Sequence, residues 1–331
     1  MGLSERARHL LVQCALLVLL AALVWFALAN LLHNLQSRAI TIGFDYLSQE
    51  AGFEIAESLL DYDASQSYGR AFAVGLFNTL FVSVLAILGA SLLGLLLGVA
   101  RLSTNWLLRT CATLYIESIR NVPLLLQLLL WYGALTELLP AAEHAFQLGA
   151  VFLSQRGLAM PWPIAPAGWS SALIDGAWSV SYPVLGSFGF EGGKTVSPEF
   201  AALCFGLSIY AAAFIAEIIR GGILAVPRGQ IDAAQALGLT RRQTLRLIVL
   251  PQAMRVIIPP LTSQYLNLIK NSSLAVAIGY PDLVSVSSTT LNQTGQAIEA
   301  MGLMMLVYLL ISLSISALMN GLNRRAQLAS R

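Results

Sequence analysis

The sequence predicts an all-α integral membrane protein with about six membrane-spanning helices and both chain termini in the cytoplasm. Its 331 residues are 57% hydrophobic and 11% charged, and the mean hydropathy is +0.72. Soluble domains carry about 25% charged residues. Several apolar runs are long enough to cross about 30 Å of hydrocarbon as helices. The basic residues are also distributed unevenly between alternate connections of these runs, which predicts the orientation.

The apolar runs divide the chain into the predicted spans. We place these spans at about residues 10–32, 72–100, 121–139, 200–219, 256–279 and 301–322. The first run could instead be a signal peptide, because Ala27-Leu28-Ala29 resembles a cleavage site. Its apolar core of about 20 residues exceeds the usual 7 to 15, which favours a span. The second run carries Ala90, Gly94 and Gly98 at four-residue spacing, a pattern that allows close helix packing.

The connections between the runs carry their own predictions. Residues 44–60 have apolar positions at roughly helical spacing, which predicts an amphipathic helix on the membrane surface. Thr110 to Arg120 predicts an interfacial helix. Ala141 to Ser154 is too short and polar to span, so we expect a surface or re-entrant helix there. Trp162, Trp169 and Trp178 suit a membrane interface.

Basic residues predict which side of the membrane each connection faces. With the N-terminus in the cytoplasm, thirteen arginines lie inside, and only Arg38, Arg70, Arg156 and Lys194 lie outside. Such a bias is the positive-inside pattern of membrane proteins. It predicts that both termini and the connection after the fourth span are cytoplasmic.

That connection contains a polar segment, Ile231–Gln252, between two strongly apolar runs. Gly229 precedes a predicted short helix, and Gly238 is placed to end it with a left-handed residue. Thr240 and Gln243 form a capping box that predicts the start of a second helix. Pro251 should interrupt that second helix. A water-facing helix-turn-helix between spans is a candidate docking surface for a soluble partner.

Several catalytic chemistries are excluded by the spacing of residues. The segment Phe188–Thr195 ends like a phosphate-binding loop, but it has Phe188 where that motif needs glycine. The three histidines lack metal-ligand spacing, and no nucleophile motif is present. Cys14, Cys111 and Cys204 are interpreted as buried apolar residues without a disulfide or metal role. A net charge of +2 gives no indication of nucleic-acid binding.

The fifth run contains the most unusual polar residue, Lys270. A charge deep in a span costs several kcal/mol on insertion scales, so it normally faces a cavity or a partner. Lys270 could line a pathway for a zwitterionic or charged solute. It could instead pair with a carboxylate such as Glu117 or Glu217, or extend towards the outer interface. The candidate pathway residues are Gln264, Asn267, Lys270, Asn271, Ser272, Ser273, Glu117, Arg120 and Glu217.

The polar segment resembles the EAA signature of ABC-type importer permeases. The matching residues, at the spacing of that signature, are Asp232-Ala233-Ala234, Gly238, Ile248 and Leu250-Pro251. Tyr115 to Leu128, Glu217 to Gln230 and Ile269 to Leu283 are similar to polar amino-acid permeases of the histidine/glutamine type. The first span and long outer loops look most like subunits for general L-amino-acid uptake. Asp232 departs from the usual Glu, and Asn271 from the Asp of many relatives.

This resemblance implies a type I ABC-importer transmembrane domain at 72–323, after an N-terminal helix and periplasmic loop at 1–71. It implies a periplasmic insertion at 140–199, a cytoplasmic coupling loop at 220–255 and a tail at 324–331. Asp232, Ala233, Ala234, Gly238 and Pro251 would couple this subunit to a cytoplasmic ATPase. The chain itself would bind no cofactor, because ATP and Mg²⁺ would be used by the partner.

The implied function is that of a permease subunit for amino acids in a bacterial inner membrane. Its partners would be a homologous permease, expected to form a heterodimer, two ATP-binding subunits, a periplasmic substrate-binding protein and lipid, without nucleic acid. The alternative is an ATP-independent carrier or channel. A carrier would need no segment of this form and often shows inverted repeats, which the sequence does not display. The amino acids carried are not specified by the sequence.

Overall fold

The computed structural model describes residues 5–37, 43–58, 60–164, 178–186 and 189–328. Arg38, Trp169, Phe188 and Arg331, which entered the sequence predictions, lie outside these ranges. The described part is dominated by helices, as predicted. The helices are α1 (Glu5–Ser37), α2 (Tyr68–Arg101), α3 (Trp106–Asn121), α4 (Leu124–Glu137), α5 (Pro198–Leu224), α6 (Arg228–Ala236), α7 (Arg241–Thr244), α8 (Leu250–Asn271), α9 (Leu283–Thr294) and α10 (Ala297–Leu328).

Six apolar helical segments correspond to the six predicted spans. Four are long and apolar enough to cross a membrane, at Tyr68–Arg101, Pro198–Leu224, Arg241–Ile278 and Ala297–Gly321. Leu11–Ala27 and Leu124–Glu137 are shorter apolar helices. The interfacial helix expected at Thr110–Arg120 is α3, which begins slightly earlier because Asn105 caps it by accepting from the backbone N–H of Leu107.

Helix α5 lies at the centre of the bundle and contacts α2, α3, α4 and α8. Its sequence explains this position, because small residues let neighbouring backbones approach. Ala211, Ala212, Ala213 and Ala216 are all buried. The stripe formed by Ala90, Gly94 and Gly98 packs against this part of α5. The structure thus identifies α5 as the partner of the glycine stripe, which the sequence alone did not specify.

Replacing Gly94 with leucine should destabilise the bundle by about 1–3 kcal/mol, the usual cost of overpacking. A Cβ at Gly94 would lie 2.7 Å from Cγ2 of Ile215 and 3.0 Å from the backbone oxygen of Ala212. The thermal unfolding midpoint in detergent measures the effect. Gly133→Leu in α4 is the matched control, because a Cβ there would meet nothing within 4 Å. Equal midpoints for the two variants would contradict this packing.

The chain between α8 and α10 is more structured than the sequence indicated. After α8 a 3₁₀-helix runs over Ser272–Ile278, and α9 follows a break at 279–282. The break is left-handed at Gly279, with φ of 81°, and the buried Asp282 caps α9 by accepting from the backbone N–H of Ser285 at 2.8 Å. Because Tyr68 at the start of α2 donates to Gln293, α9 runs towards that end of the bundle.

Within the described residues, eight short strands cover the end of the bundle where α2 and α5 begin, which we call the sheet end. They are β1 (Phe146–Leu148), β2 (Val151–Ser154), β3 (Gly157–Met160), β4 (Trp162–Ile164), β5 (Ser179–Ser181), β6 (Val184–Gly186), β7 (Gly189–Glu191) and β8 (Lys194–Val196). Antiparallel pairing orders one sheet β1-β2-β3-β8, and β4-β5 and β6-β7 form separate pairs. The all-α prediction therefore omits a small β region.

The helix predicted at Ala141–Ser154 is wrong. Only a 3₁₀ turn, Ala142–His144, precedes a hairpin in which Phe146 pairs with Leu153. Gly149 starts the two-residue turn at φ of 64°, a conformation that glycine adopts without strain. The aromatic and β-branched residues Phe146, Val151 and Phe152 suit a strand once a partner strand is available.

The amphipathic helix predicted at residues 44–60 is also wrong. A 3₁₀ turn at Asp45–Ser48 is followed by non-helical chain, and we call the described residues 43–58 and 60–67 the strap. Ala51 and Gly52 donate to the backbone oxygens of Gln66 and Ala64. The apolar residues that suggested a membrane surface, among them Tyr46, pack instead against α2, α9 and α10. Burial raises the pKa of Glu57 in the strap above its usual value.

The three cysteines are free, but Cys14 and Cys111 are exposed on the single chain and Cys204 is half-buried. The prediction that all three are buried is therefore wrong. Exposure of an apolar side chain on a spanning helix corresponds to contact with lipid or with another subunit.

Candidate functional site: the polar segment and a membrane lysine

The polar segment lies at the end of the bundle opposite the strands, which we call the loop end. It folds as the predicted helix-turn-helix. Helix α6 ends at Ala236, and Gly238, two residues beyond, is left-handed with φ of 79°. The backbone N–H groups of Gly238 and Leu239 donate to the oxygens of Gln235 and Ala234, the pattern of a Schellman motif. Thr240 and Gln243 form the expected capping box at the start of α7.

Two details of this segment differ from the prediction. Helix α6 starts at Arg228 with Pro227 as its N-cap, so Gly229 lies inside its first turn. Pro251 does not end the second helix, because a π-helical turn, Leu245–Val249, precedes it and α8 continues. The wider π turn accommodates a proline that lacks an N–H and would crowd the preceding carbonyls.

The two alanines of the signature face different ways. Ala234 is 4% exposed and lies on the face of α6 directed at its own bundle. Asp232 and Ala233 are exposed to solvent. Leu237, which follows the helix, is 82% exposed, although it is a large apolar residue outside any span. The outer face of α6 therefore presents a compact apolar projection beside small and acidic residues, a shape suited to insertion into a cleft of another protein.

Glu117 and Glu217 belong to a cluster of charges at the loop end. Glu217 in α5 forms an ion pair with Arg101, the last residue of α2, and a second one with Arg220 at 2.9 Å. Glu117 in α3 lies 3.8 Å from Arg101, with a side chain that is 64% exposed. Three helices are joined through this cluster. Neither carboxylate forms an ion pair with Lys270 in the structure.

Lys270 belongs to a stripe of polar residues on α8 that the rest of the described chain leaves uncovered. Ser263, Asn267 and Lys270 are exposed at helical spacing, so they share one face. Lys270 also lines a cavity of about 340 Å³ with Ser273 and Tyr308, the latter on α10. Within the described residues Lys270 has no ion pair, so the pairing suggested for it with Glu117 or Glu217 is absent.

Lys270 also does not lie at the end of a span. The chain continues beyond it through the 3₁₀-helix and α9, which together complete the crossing towards the sheet end. Tyr308, across the cavity, is itself inside the apolar part of α10. The depth of Lys270 therefore disfavours the reading in which it extends to the outer interface, since lysines do that near helix ends.

The remaining predicted pathway residues are only partly brought together. Gln264 and Asn271 are half-buried beside the polar stripe. Ser272 is buried and donates to the backbone oxygen of Ile269. Arg120 is exposed on α3, and its guanidinium lies 5.1 Å from the ring centroid of Phe214, a cation–π contact. This contact joins Arg120 to α5 and not to the polar stripe on α8.

Sequence reasoning missed five residues of these sites: Arg101, Arg220, Leu237, Ser263 and Tyr308. The arginines were counted only for orientation, although the proximity of Glu217 to the end of its span was a signal for an ion pair. Leu237 had a signal too, because it is an apolar residue before a glycine in a polar segment. Tyr308 had no signal in an apolar run. In the described part of the chain, no three His, Cys, Asp or Glu side chains are grouped to hold a metal.

A bundle of apolar helices with a helix-turn-helix at one end is the architecture of a membrane protein that docks a soluble partner. Comparison with known proteins specifies which one. The chain belongs to the family of binding-protein-dependent transport system inner membrane components, whose model matches residues 90–327. The EAA signature is typical of this family, and the chain is a multi-pass protein of the bacterial inner membrane. Permease subunits of ABC importers are transport components without an ATPase of their own.

Individual relatives agree with this assignment. The chain is 46% identical to the putative amino-acid ABC transporter permease protein YhdX of Escherichia coli (strain K12), covering 99% of this chain and 96% of that protein. It is 41% identical to the general L-amino acid transport system permease protein AapQ of Rhizobium johnstonii, covering 99% and 94%. A crystal structure of an amino acid ABC transporter with histidines aligns at TM-score 0.55 and 27% identity, covering 78% of this chain and 95% of that one.

Proposed function

We propose that this chain is the permease subunit of an ATP-driven importer of L-amino acids, with its loop end in the cytoplasm. The observation that supports this function most directly is the outer face of α6, where a Schellman motif fixes the exposed Leu237 beside Asp232 and Ala233. The relatives named above are amino-acid permeases. An ATP-independent carrier or channel would not require this projection.

The proposed assembly contains a homologous permease, expected to form a heterodimer with this chain, two ATP-binding subunits and a periplasmic substrate-binding protein. ATP and Mg²⁺ are bound and used by the ATP-binding subunits. The distribution of charge supports the orientation, because Arg101, Arg220 and the arginines of α7 lie at the loop end. The domain division at residues 72 and 323 and the coupling loop at 220–255 are part of this proposal.

Reconstituted transport tests this function. The proteoliposomes contain the permease pair and the ATP-binding subunits, and the binding protein is added outside. They should accumulate a labelled L-amino acid only when ATP is hydrolysed in the lumen. A non-hydrolysable ATP analogue is the control. Uptake at full rate with that analogue would favour the carrier or channel and would exclude the proposed mechanism.

The polar stripe on α8 is the proposed contribution of this chain to the solute pathway. Ser263, Asn267 and Lys270 are exposed on the single chain, yet lipid is an unfavourable surrounding for a charge at that depth. Covering by the homologous permease, with solute and water between the two subunits, satisfies these groups. The ammonium of Lys270 would then attract the carboxylate of a solute.

Replacing Lys270 with methionine should reduce kcat/KM for amino-acid uptake about tenfold or more, because a charge-assisted contact contributes about 1.5–3 kcal/mol. ATP hydrolysis without solute should be unchanged. Arg109→Met is the control, since Arg109 is an exposed cation on α3 that lies outside the polar stripe. Unchanged uptake by the Lys270 variant would remove it from the pathway without affecting the importer assignment.

A further inference from the structure

A cleft of about 640 Å³ lies at the sheet end, between the spans and the strands. Helices α4 and α5 form one wall, and β7, β8 and the β2–β3 turn form the other. This volume lies in the range of small-molecule sites, about 300–1,000 Å³. The polar side chains of its lining that bear on a ligand are Tyr132, Thr136, Arg156, Thr195, Ser197 and Glu199. The cleft is separate from the polar stripe on α8 and from the polar segment.

The lining contains one cation and one carboxylate, placed by opposite walls. Arg156 comes from the turn between β2 and β3, and Glu199 from the first turn of α5. Glu199 accepts from the hydroxyl of Tyr132 at 3.1 Å through Oε1, which fixes the carboxylate at the wall. Hydroxyl groups of Thr136, Thr195 and Ser197 lie around them. Opposite charges with several hydroxyls are the chemical groups that recognise the α-carboxylate and α-ammonium of a free amino acid.

The position of Arg156 depends on a glycine. A Cβ added at Gly189 would lie 3.3 Å from both Cδ and Nη1 of Arg156, and Gly189 has φ of 135°. The absence of a side chain at Gly189 therefore leaves the space that the arginine occupies. The turn that carries Arg156 is itself fastened, because Gln155 donates to the backbone oxygen of Pro140 at 2.9 Å. A guanidinium in this position can form a charge-assisted hydrogen bond with a carboxylate.

The start of α5 joins the cleft to the strap. Ser197 caps this helix by accepting from the backbone N–H of Phe200 at 3.0 Å, and its hydroxyl is bonded to Glu57 of the strap. The positive end of the helix dipole is thus faced by two carboxylates, those of Glu57 and Glu199, which supports Glu199 as a partner for a cation in the cleft. The strap and the cleft are joined through this one hydroxyl, so the site is built from parts of the chain that are distant in sequence.

We propose that this cleft is a receiving site for the zwitterionic head of an L-amino acid, occupied before the solute enters the membrane. Arg156 binds the α-carboxylate, and Glu199, held by Tyr132, binds the α-ammonium. Because both contacts are to the common head, the site accepts amino acids with different side chains. The inference rests on the proposed function and adds to it a solute site in the insertion itself.

Equilibrium binding to the assembled membrane complex in nanodiscs, without the binding protein, tests the site. The probe is a ¹⁴C-labelled amino acid that the wild-type assembly transports. Arg156→Gln and Glu199→Gln should each weaken binding about tenfold and raise the KM of uptake by a similar factor. Arg156→Lys should lose less, because it keeps the charge. Arg70→Gln and Glu143→Gln, exposed charges outside the cleft, should change affinity less than about twofold.

Competition separates the two contacts. The amino-acid amide lacks the carboxylate. Its affinity for the wild-type assembly, measured by competition, should be as low as the affinity of the amino acid for the Arg156 variant. The deaminated acid should show the same relation to the Glu199 variant. Wild-type affinity in both cleft variants would overturn the proposal. So would an Arg156 variant that binds the amino acid normally but responds more weakly to the binding protein, since the cleft would then be a docking surface.

Failure of the importer assignment is distinguishable from failure of the cleft. A wild-type assembly without ATP-driven amino-acid uptake overturns both. Wild-type uptake with unaltered cleft variants overturns the cleft alone. Should Arg156→Gln not assemble, as judged by size-exclusion chromatography, Glu199→Gln decides the outcome, because it preserves the shape of the side chain and can still accept from Tyr132.

Discussion

Leu237→Asp should weaken association with the ATP-binding subunit at least about 30-fold and reduce ATP-driven uptake accordingly. Leu237 is 82% exposed at the tip of the polar segment, and Gly238 fixes its position by the Schellman motif. A buried apolar anchor at an interface contributes about 2 kcal/mol or more, which is a factor of about 30. Co-purification of the subunits and uptake in proteoliposomes measure both effects.

The variants that control for Leu237 come from the same turn of chain. Leu237→Met keeps an apolar anchor and should retain association within about threefold. Ala234→Leu should act differently, because Ala234 faces its own bundle. It should lower the thermal unfolding midpoint, whereas Leu237→Asp should leave that midpoint unchanged. Normal uptake by Leu237→Asp would show that α6 is not the docking surface.

Glu217→Gln should destabilise the bundle by about 2 kcal/mol, because hydrogen bonds to charged groups contribute about 1.5–3 kcal/mol. The Glu217 side chain is 20% exposed and its carboxylate is shared between Arg101 and Arg220. Neutralising it leaves two guanidinium groups close together without their anion. Thermal unfolding in detergent should show a lower midpoint.

Glu117→Gln is the matched control, since Glu117 approaches the same Arg101 but is 64% exposed. An exposed pair of this kind contributes about 0.5 kcal/mol or less, so its midpoint should be close to wild type. The comparison also decides between two roles for Glu217. If the Glu217 variant is as stable as wild type but transports different amino acids preferentially, Glu217 contributes to the solute pathway and not to stability.

The spans and the polar segment could be predicted because their signals are local. Hydropathy accumulates over about 20 residues, so single substitutions hardly affect the position of α2 or α5. Gly238, Thr240 and Gln243 act within one helical turn, and their hydrogen bonds are those that the sequence indicated. The resemblance to importer permeases followed from the spacing of these same residues.

The β region and the strap could not be predicted because their partners are distant. Phe146 to Leu153 forms strands only when paired, and β3 pairs with β8 across a long excursion. The apolar residues of the strap fit a helix facing lipid as well as they fit the ends of α2, α9 and α10. Hydropathy alone does not separate burial in protein from burial in lipid.

The candidate sites were predictable in part for the same reason. Lys270 was recognisable by its depth, and its surroundings support a pathway better than the ion pair that the sequence allowed. Glu217 was recognisable as a charged residue near a span, but Arg101 is 116 positions away and only the fold brings them together. Arg156 and Glu199 had no mutual spacing to indicate a site. Folding of the insertion onto the bundle creates their cleft.

The small residues of α5 determine how rigidly this helix is packed against α2 and α8. Close backbone contact with α2, and with α8 at Gly222, leaves little room for these helices to slide, and a Cβ at Gly222 would lie 2.3 Å from Ile257. The polar segment is attached to the same helices through Val226, Val249 and Ala253. We therefore expect a displacement of α6 to move α2, α5 and α8 together as one rigid unit.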